Sequence, residues 1–162
     1  RYAFSKSFGE RFIDGKRGHG GEGDAAEIWG LSVSDYLNKA DLWPNNPNGE
    51  LIMGVKIENL TALSNAPSTL DVPGIAYAEW GPGDMGMAMG YPEQHDPPYP
   101  AEMIDAQNFV MKQCEKRNIL FLNQVAEDDI DELTARGVKI CKPTDESLAN
   151  QQRHKTGRKM KW

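Results

Sequence analysis

Leu51-Ile-Met-Gly-Val-Lys-Ile-Glu58 and Ile75-Ala-Tyr-Ala-Glu-Trp-Gly-Pro-Gly-Asp84 decide how this chain is read. Each is a short apolar run with the composition of a buried strand, and each ends on or just before a carboxylate. In an open α/β sheet or an α/β barrel, ligands bind at the carboxyl-terminal edge of the strands. Glu58 and Asp84, delivered to that edge by neighbouring strands, form a donor pair suited to a hard divalent cation.

Working outward, apolar runs alternate with helical segments. Residues 1–30 are glycine-rich and irregular apart from a short helix near Ala25 to Trp29. Ser34 is positioned to cap a helix running through Leu42. Pro44-Asn-Asn-Pro-Asn-Gly49 has the chemistry of a loop. Asn59 caps a helix to about Ser68, and Val72-Pro-Gly74 leads into the second strand. Gly81 to Pro100 reads largely as loop. Ala101 to Asn118 reads as the clearest helix, with Met103, Ala106, Val110 and Cys114 on one face. The run Ile119 to Leu122 is a third strand, Glu127 to Ala135 a helix ended by Gly137, and Val138 to Cys141 a fourth strand. Pro143-Thr-Asp-Glu opens the last helix. Such alternation implies parallel strands joined by right-handed crossovers. Four such units make either a small open sheet or half of an eightfold barrel, whose two edges would need covering.

With 162 residues, 39% hydrophobic and 26% charged, the composition is that of one globular domain rather than a disordered or membrane-spanning chain. No signal-peptide pattern opens the chain, and Arg1 in place of Met leads us to expect sequence upstream. A net charge of −6 disfavours nucleic acid as a partner. From Gln151 onward there are basic residues and no acidic ones, the pattern of a solvated helix end. Cys114 and Cys141 form no metal or redox motif and read as reduced, buried thiols.

Strand alternation puts Gly54, Lys56 and Glu58 on one face and Met53, Val55 and Ile57 on the other. A Lys and a Glu beside a glycine leave room for a small ligand; equally, they make an ion pair with no ligand. Gly81-Pro-Gly-Asp84 offers the amides of Gly83 and Asp84 to a carboxylate and the Asp84 side chain to a metal. The plain alternative is a strand-to-helix turn with Asp84 as N-cap. Gly18-His-Gly-Gly-Glu-Gly23 has a phosphate-loop look without the preceding strand or the Lys-Ser/Thr, and reads as a tight turn. The three histidines lack zinc spacing. Met85, Met87 and Met89 read as core packing.

These residues resemble the HpcH/HpaI-type class II pyruvate aldolases of the phosphoenolpyruvate/pyruvate barrel superfamily, including its macrophomate-synthase-like members. The resemblance runs from about Gly15 to Lys142. It is carried by Gly15-Lys-Arg-Gly18, Asp35-Tyr-Leu-Asn-Lys-Ala40, Val55-Lys-Ile-Glu58, Val72-Pro-Gly74, Gly81-Pro-Gly-Asp-Met85 and Gly90-Tyr-Pro92.

The resemblance implies the C-terminal half of a (β/α)8 TIM barrel, with the whole of residues 1–162 as one segment and the N-terminal strands supplied from elsewhere. Glu58 and Asp84 would ligate Mg²⁺, or Mn²⁺ or Co²⁺. A 2-oxo acid such as pyruvate or oxaloacetate would chelate that ion and lie against Lys56, Gly83 and Asp84. The metal would stabilise an enolate formed by aldol cleavage or decarboxylation. The family's histidine base and its arginine lie upstream of this segment, so no catalytic residue is assigned to His19, Arg11 or Arg17. Many relatives carry Gln where this chain has Lys56. The family also implies a cytoplasmic homo-oligomer, often a hexamer, with the segment from Pro143 onward as contact, and no nucleic acid or membrane partner. Two alternatives stand beside the lyase: an inactive barrel remnant used for binding or assembly, and a CoA-ester lyase of the citrate-lyase β type.

Overall fold

The structure is a computed structural model that describes residues 19–156. Two short helices come first, α1 (Glu22–Ile28) and α2 (Val33–Lys39). The strands and helices that follow are β1 (Leu42–Trp43), β2 (Leu51–Ile57), α3 (Leu60–Leu70), β3 (Ile75–Trp80), α4 (Pro82–Met89), α5 (Ala101–Glu115), β4 (Leu120–Val125), α6 (Ile130–Arg136), β5 (Val138–Pro143) and α7 (Glu146–Thr156).

All five strands are parallel and lie side by side in chain order, β1-β2-β3-β4-β5. A doubly wound sheet reverses its strand order at a switch point; here each new strand is added on the same side as the last. The sheet is therefore an arc of a barrel, as expected. Its closing strands are not among the described residues.

The core lies between one face of the arc and its helices. Ile57, Ala78, Trp80, Phe121, Val125 and Val138 meet Ala66 and Leu70 of α3, Met85 of α4 and Met103, Val110 and Cys114 of α5. The four α5 residues read as one helical face (Met103, Ala106, Val110, Cys114) are all buried. A second, small cluster holds α1 to α2 through Ala26, Tyr36 and Ala40, with Trp29 edge-on to Tyr36 at 5.4 Å.

Several boundaries differ from the sequence expectation, each for a local reason. The cap of α2 is Ser32, whose side chain accepts from the Asp35 amide, rather than Ser34. That helix stops at Lys39, so Leu42 becomes strand β1. Residues 82–89 are helical, although Gly and Pro suggested loop; Pro82 sits in the first turn, where its missing N–H costs nothing. Strands β4 and β5 run beyond Leu122 and Cys141, to Val125 and Pro143. Pro143 thus closes an edge strand instead of opening α7, and Asp145 caps that helix by accepting from the Leu148 amide at 2.8 Å. Asn59 caps α3 as expected, accepting from the Ala62 amide. Gly137 ends α6 with φ of 125°.

The glycine turn before α1 is occupied by the chain itself. The Gly20 amide donates to Glu22 Oε2 at 2.6 Å, and the other oxygen of Glu22 pairs with His19. Gly15 to Gly18, Arg11 and the basic residues Arg158, Lys159 and Lys161 lie outside the described residues. Both cysteines are free; Cys114 is buried, but Cys141 is only half-buried. Among the described residues no helix is long and apolar enough to cross a membrane.

Candidate functional site

The site is built at the carboxyl ends of β2 and β3, and register places its parts. Lys56 pairs with Glu79 and Ile57 with Trp80. Because Ile57, Ala78 and Trp80 face the helices, Lys56, Glu58 and Glu79 face the concave side of the arc. One register step further along, Glu58 comes to lie beside Gly81, whose amide donates to the Ile57 carbonyl at 3.4 Å. A Cβ at Gly81 would overlap the Glu58 carboxylate. Glycine there is what lets the carboxylate rest against the backbone at the mouth of the barrel.

Gly81 is also the N-cap of α4, and no side chain caps that helix. Asp84 therefore sits inside the first turn rather than at the N-cap. The Met85 amide returns to the Gly81 carbonyl at 3.0 Å. The Gly83 and Asp84 amides come before the first i→i−4 bond, at the positive end of the helix.

Lys56, Glu58, Glu79, Gly83 and Asp84 line one cleft of about 470 Å³. Lys56 forms an ion pair with Glu58. The hydrogen bond to Glu58 does most to hold the Lys56 ammonium above its ordinary value, against desolvation. The charges of Glu58, Glu79 and Asp84 act in the same direction. The room expected next to Gly54 is absent. The Tyr77 ring lies over Gly54, where a Cβ would overlap it. The open volume is instead one layer higher, at Lys56 and above.

Gln124, Lys142, His95, Asp96, Tyr99 and Met87 also line the cleft, and none was given a site role from the sequence; Met87 was read as core. Gln124 and Lys142 are cross-strand partners on β4 and β5. They were missed because polar residues near a strand end look like loop. His95 and Asp96 come from the proline-rich segment after α4 and pair at 2.9 Å. Tyr99 holds that segment over the sheet, its ring edge-on to Trp80 at 5.3 Å. Tyr91 anchors its other end to Glu102 of α5. Met87 is 63% exposed at the cleft, whereas Met85 is fully buried, so only part of the methionine cluster is core.

The donor chemistry fits a divalent ion of the Mg²⁺ class. Glu58, just past the end of β2, and Asp84, in the first turn of α4, supply hard carboxylate oxygens, and Gly81 leaves the cradle that Glu58 needs. Among the described residues no group of three or more His, Cys, Asp or Glu could hold a metal, so water would fill most of the shell.

The comparisons with known proteins agree with this architecture. No family model matches the chain. It is 33% identical over 91 residues to 2-keto-3-deoxy-L-rhamnonate aldolase of Klebsiella pneumoniae subsp. pneumoniae, a match covering 56% of this chain and 31% of that protein. The protein of the same name from Escherichia coli K12 is 32% identical over the same length and shares. The solved HpcH/HpaI aldolase/citrate lyase family protein of Burkholderia cenocepacia matches with a TM-score of 0.65 at 16% identity, covering 96% of this chain and 55% of that one. The HpcH/HpaI aldolase of Desulfitobacterium hafniense gives 0.61 at 16% identity, covering 94% and 56%.

The chain resembles the HpcH/HpaI-type aldolases. Macrophomate synthase shares the fold as well, with a TM-score of 0.52 at 19% identity, over 73% of this chain and 43% of that one. The matched part spans 31% of the length of the aldolases compared by sequence, and the fold covers a little over half of the HpcH/HpaI structures.

Proposed function

We propose that this chain supplies the cation- and carboxylate-holding side of a lyase that breaks a carbon–carbon bond in a 2-oxo acid. The observation that carries the reading is that Glu58, at the end of β2, and Asp84, in the first turn of α4, line one cleft with the amides that open α4. Sequence similarity to aldolases acting on a 2-keto-3-deoxy sugar acid supports substrates of that class, with pyruvate as the product held. Glu58 and Asp84 would hold the ion, Mg²⁺ first and Mn²⁺ or Co²⁺ as substitutes. When bound, such an ion supplies Lewis-acid polarisation of the substrate carbonyl.

The chain's own residues do the positioning. The Gly83 and Asp84 amides take the substrate carboxylate, an anion at a helix N-terminus. Gly81 keeps Glu58 flat against the backbone, and the 92–100 segment, pinned by Tyr91 and Tyr99, walls the cleft on the side of α4. By the same resemblance, the proton-abstracting group belongs to strands outside this chain. We further propose a cytoplasmic oligomer in which the segment from Pro143 onward meets a neighbour.

Calorimetric titration of the chain with Mg²⁺ and pyruvate together tests the reading. Binding by the wild type that is lost in both Glu58→Gln and Asp84→Asn is expected; a wild type that binds neither contradicts it. A second reading, a barrel remnant kept for assembly, is favoured by one observation: Lys56 already satisfies Glu58. That reading predicts no cation binding at all.

A further inference from the structure

We propose that Lys56 is a built-in counter-ion that competes with the divalent cation for Glu58. The inference rests on the cation-site reading above, and the geometry of β2 carries it. Lys56 and Glu58 lie two residues apart on one strand face, so the ammonium reaches the carboxylate without bending the backbone. It pairs with the Glu58 oxygen that lies against Gly81. Glu79 is its partner across the β2–β3 register, and Asp84 lines the same cleft. One positive charge is therefore already paired with Glu58, where a divalent ion would bind.

A cation entering the site must take Glu58 from Lys56 and then sit beside the displaced ammonium. Both effects weaken binding, the first by loss of the pair and the second by like-charge repulsion. The exchange is feasible because the pair is only partly desolvated: the Lys56 side chain is 54% exposed and that of Glu58 is 23% exposed. Such a pair is weak enough to break. The released ammonium has a second partner directly across the register in Glu79. A neutral side chain at position 56 would leave Glu58 free for the metal at all times. Lys56 instead makes the site self-neutralised at low cation concentration and loaded only at high concentration.

Binding of Mn²⁺ alone to the full chain, followed by electron paramagnetic resonance and calorimetry, tests this without any turnover. Lys56→Gln is expected to bind Mn²⁺ about tenfold tighter than the wild type, while Lys56→Arg, which keeps the charge, binds as weakly as the wild type. Thermal melts of the same samples confirm that the variants are folded. Equal affinity in the wild type and Lys56→Gln overturns the inference and leaves the cation site standing. Weaker binding in Lys56→Gln overturns it too, because Lys56 would then assist the metal. If neither protein binds Mn²⁺, the cation site itself falls, and this inference falls with it.

Discussion

Single residues set the site. Gly81 is the clearest case, because any side chain there displaces the Glu58 carboxylate. With a φ of −94° its backbone is one that alanine adopts freely, so the damage should be local. Gly81→Ala is expected to weaken Mn²⁺ binding by about tenfold, with little change in melting temperature; calorimetry and thermal melts check both halves. One thiol and one phenol, those of Cys114 and Tyr99, give a second residue-scale prediction. Burial pushes Cys114 from 9.0 up to about 11 and Tyr99 from 10.0 up to about 12. Both groups stay protonated in the folded chain at pH values where the unfolded chain has begun to lose those protons. The native state then binds more protons, so stability falls as pH rises, from about 9 to 11 for Cys114 and from about 10 to 12 for Tyr99. Urea midpoints measured near pH 8 and near pH 10 should drop for the wild type and drop less for Cys114→Ala.

Elements carry these residues into place, and most of them were legible from the chain. The acid-terminated runs, the Asn59 cap and the α5 face with Met103 and Val110 all read directly, because each is a local pattern of burial or capping. Lost to the sequence reading were the features fixed by contact across the sheet. Gln124 and Lys142 look like loop residues until register shows them facing the cleft. The space expected at Gly54 is taken by Tyr77, which lies more than twenty positions further along the chain. Helix α4 hid behind its glycines and Pro82, since packing of Met85 outweighs their poor propensity. Two substitutions test this level. Asn59→Ala should cost about 1 kcal/mol by removing the α3 cap. Phe121→Ala, near the start of β4 and buried in the core, should cost about 3–5 kcal/mol in chemical denaturation. A near-neutral Phe121→Ala would mean that the arc is not packed as described.

At the scale of the whole molecule, the five parallel strands described lie in chain order and form an arc whose helix-covered face carries the core. Its concave face is polar at the mouth, through Lys56, Glu79 and Glu58. Deeper down it carries Tyr77, Leu122 and Ile140, which are only partly buried. The barrel-like topology was legible as alternation, whereas the choice between an open sheet and a barrel arc needed the strand order. We expect the chain to sediment as an oligomer; a monomer with the α7 segment open to proteolysis would argue against that contact. In the function proposed above, Glu58 and Asp84 hold one divalent ion between them. Anomalous diffraction from crystals soaked in Mn²⁺ and pyruvate tests it most directly. A single anomalous peak is expected about 2.1 Å from a carboxylate oxygen of each residue, with Lys56 turned away from Glu58. An empty cleft with the Lys56–Glu58 pair intact, or a peak bound elsewhere, would contradict it.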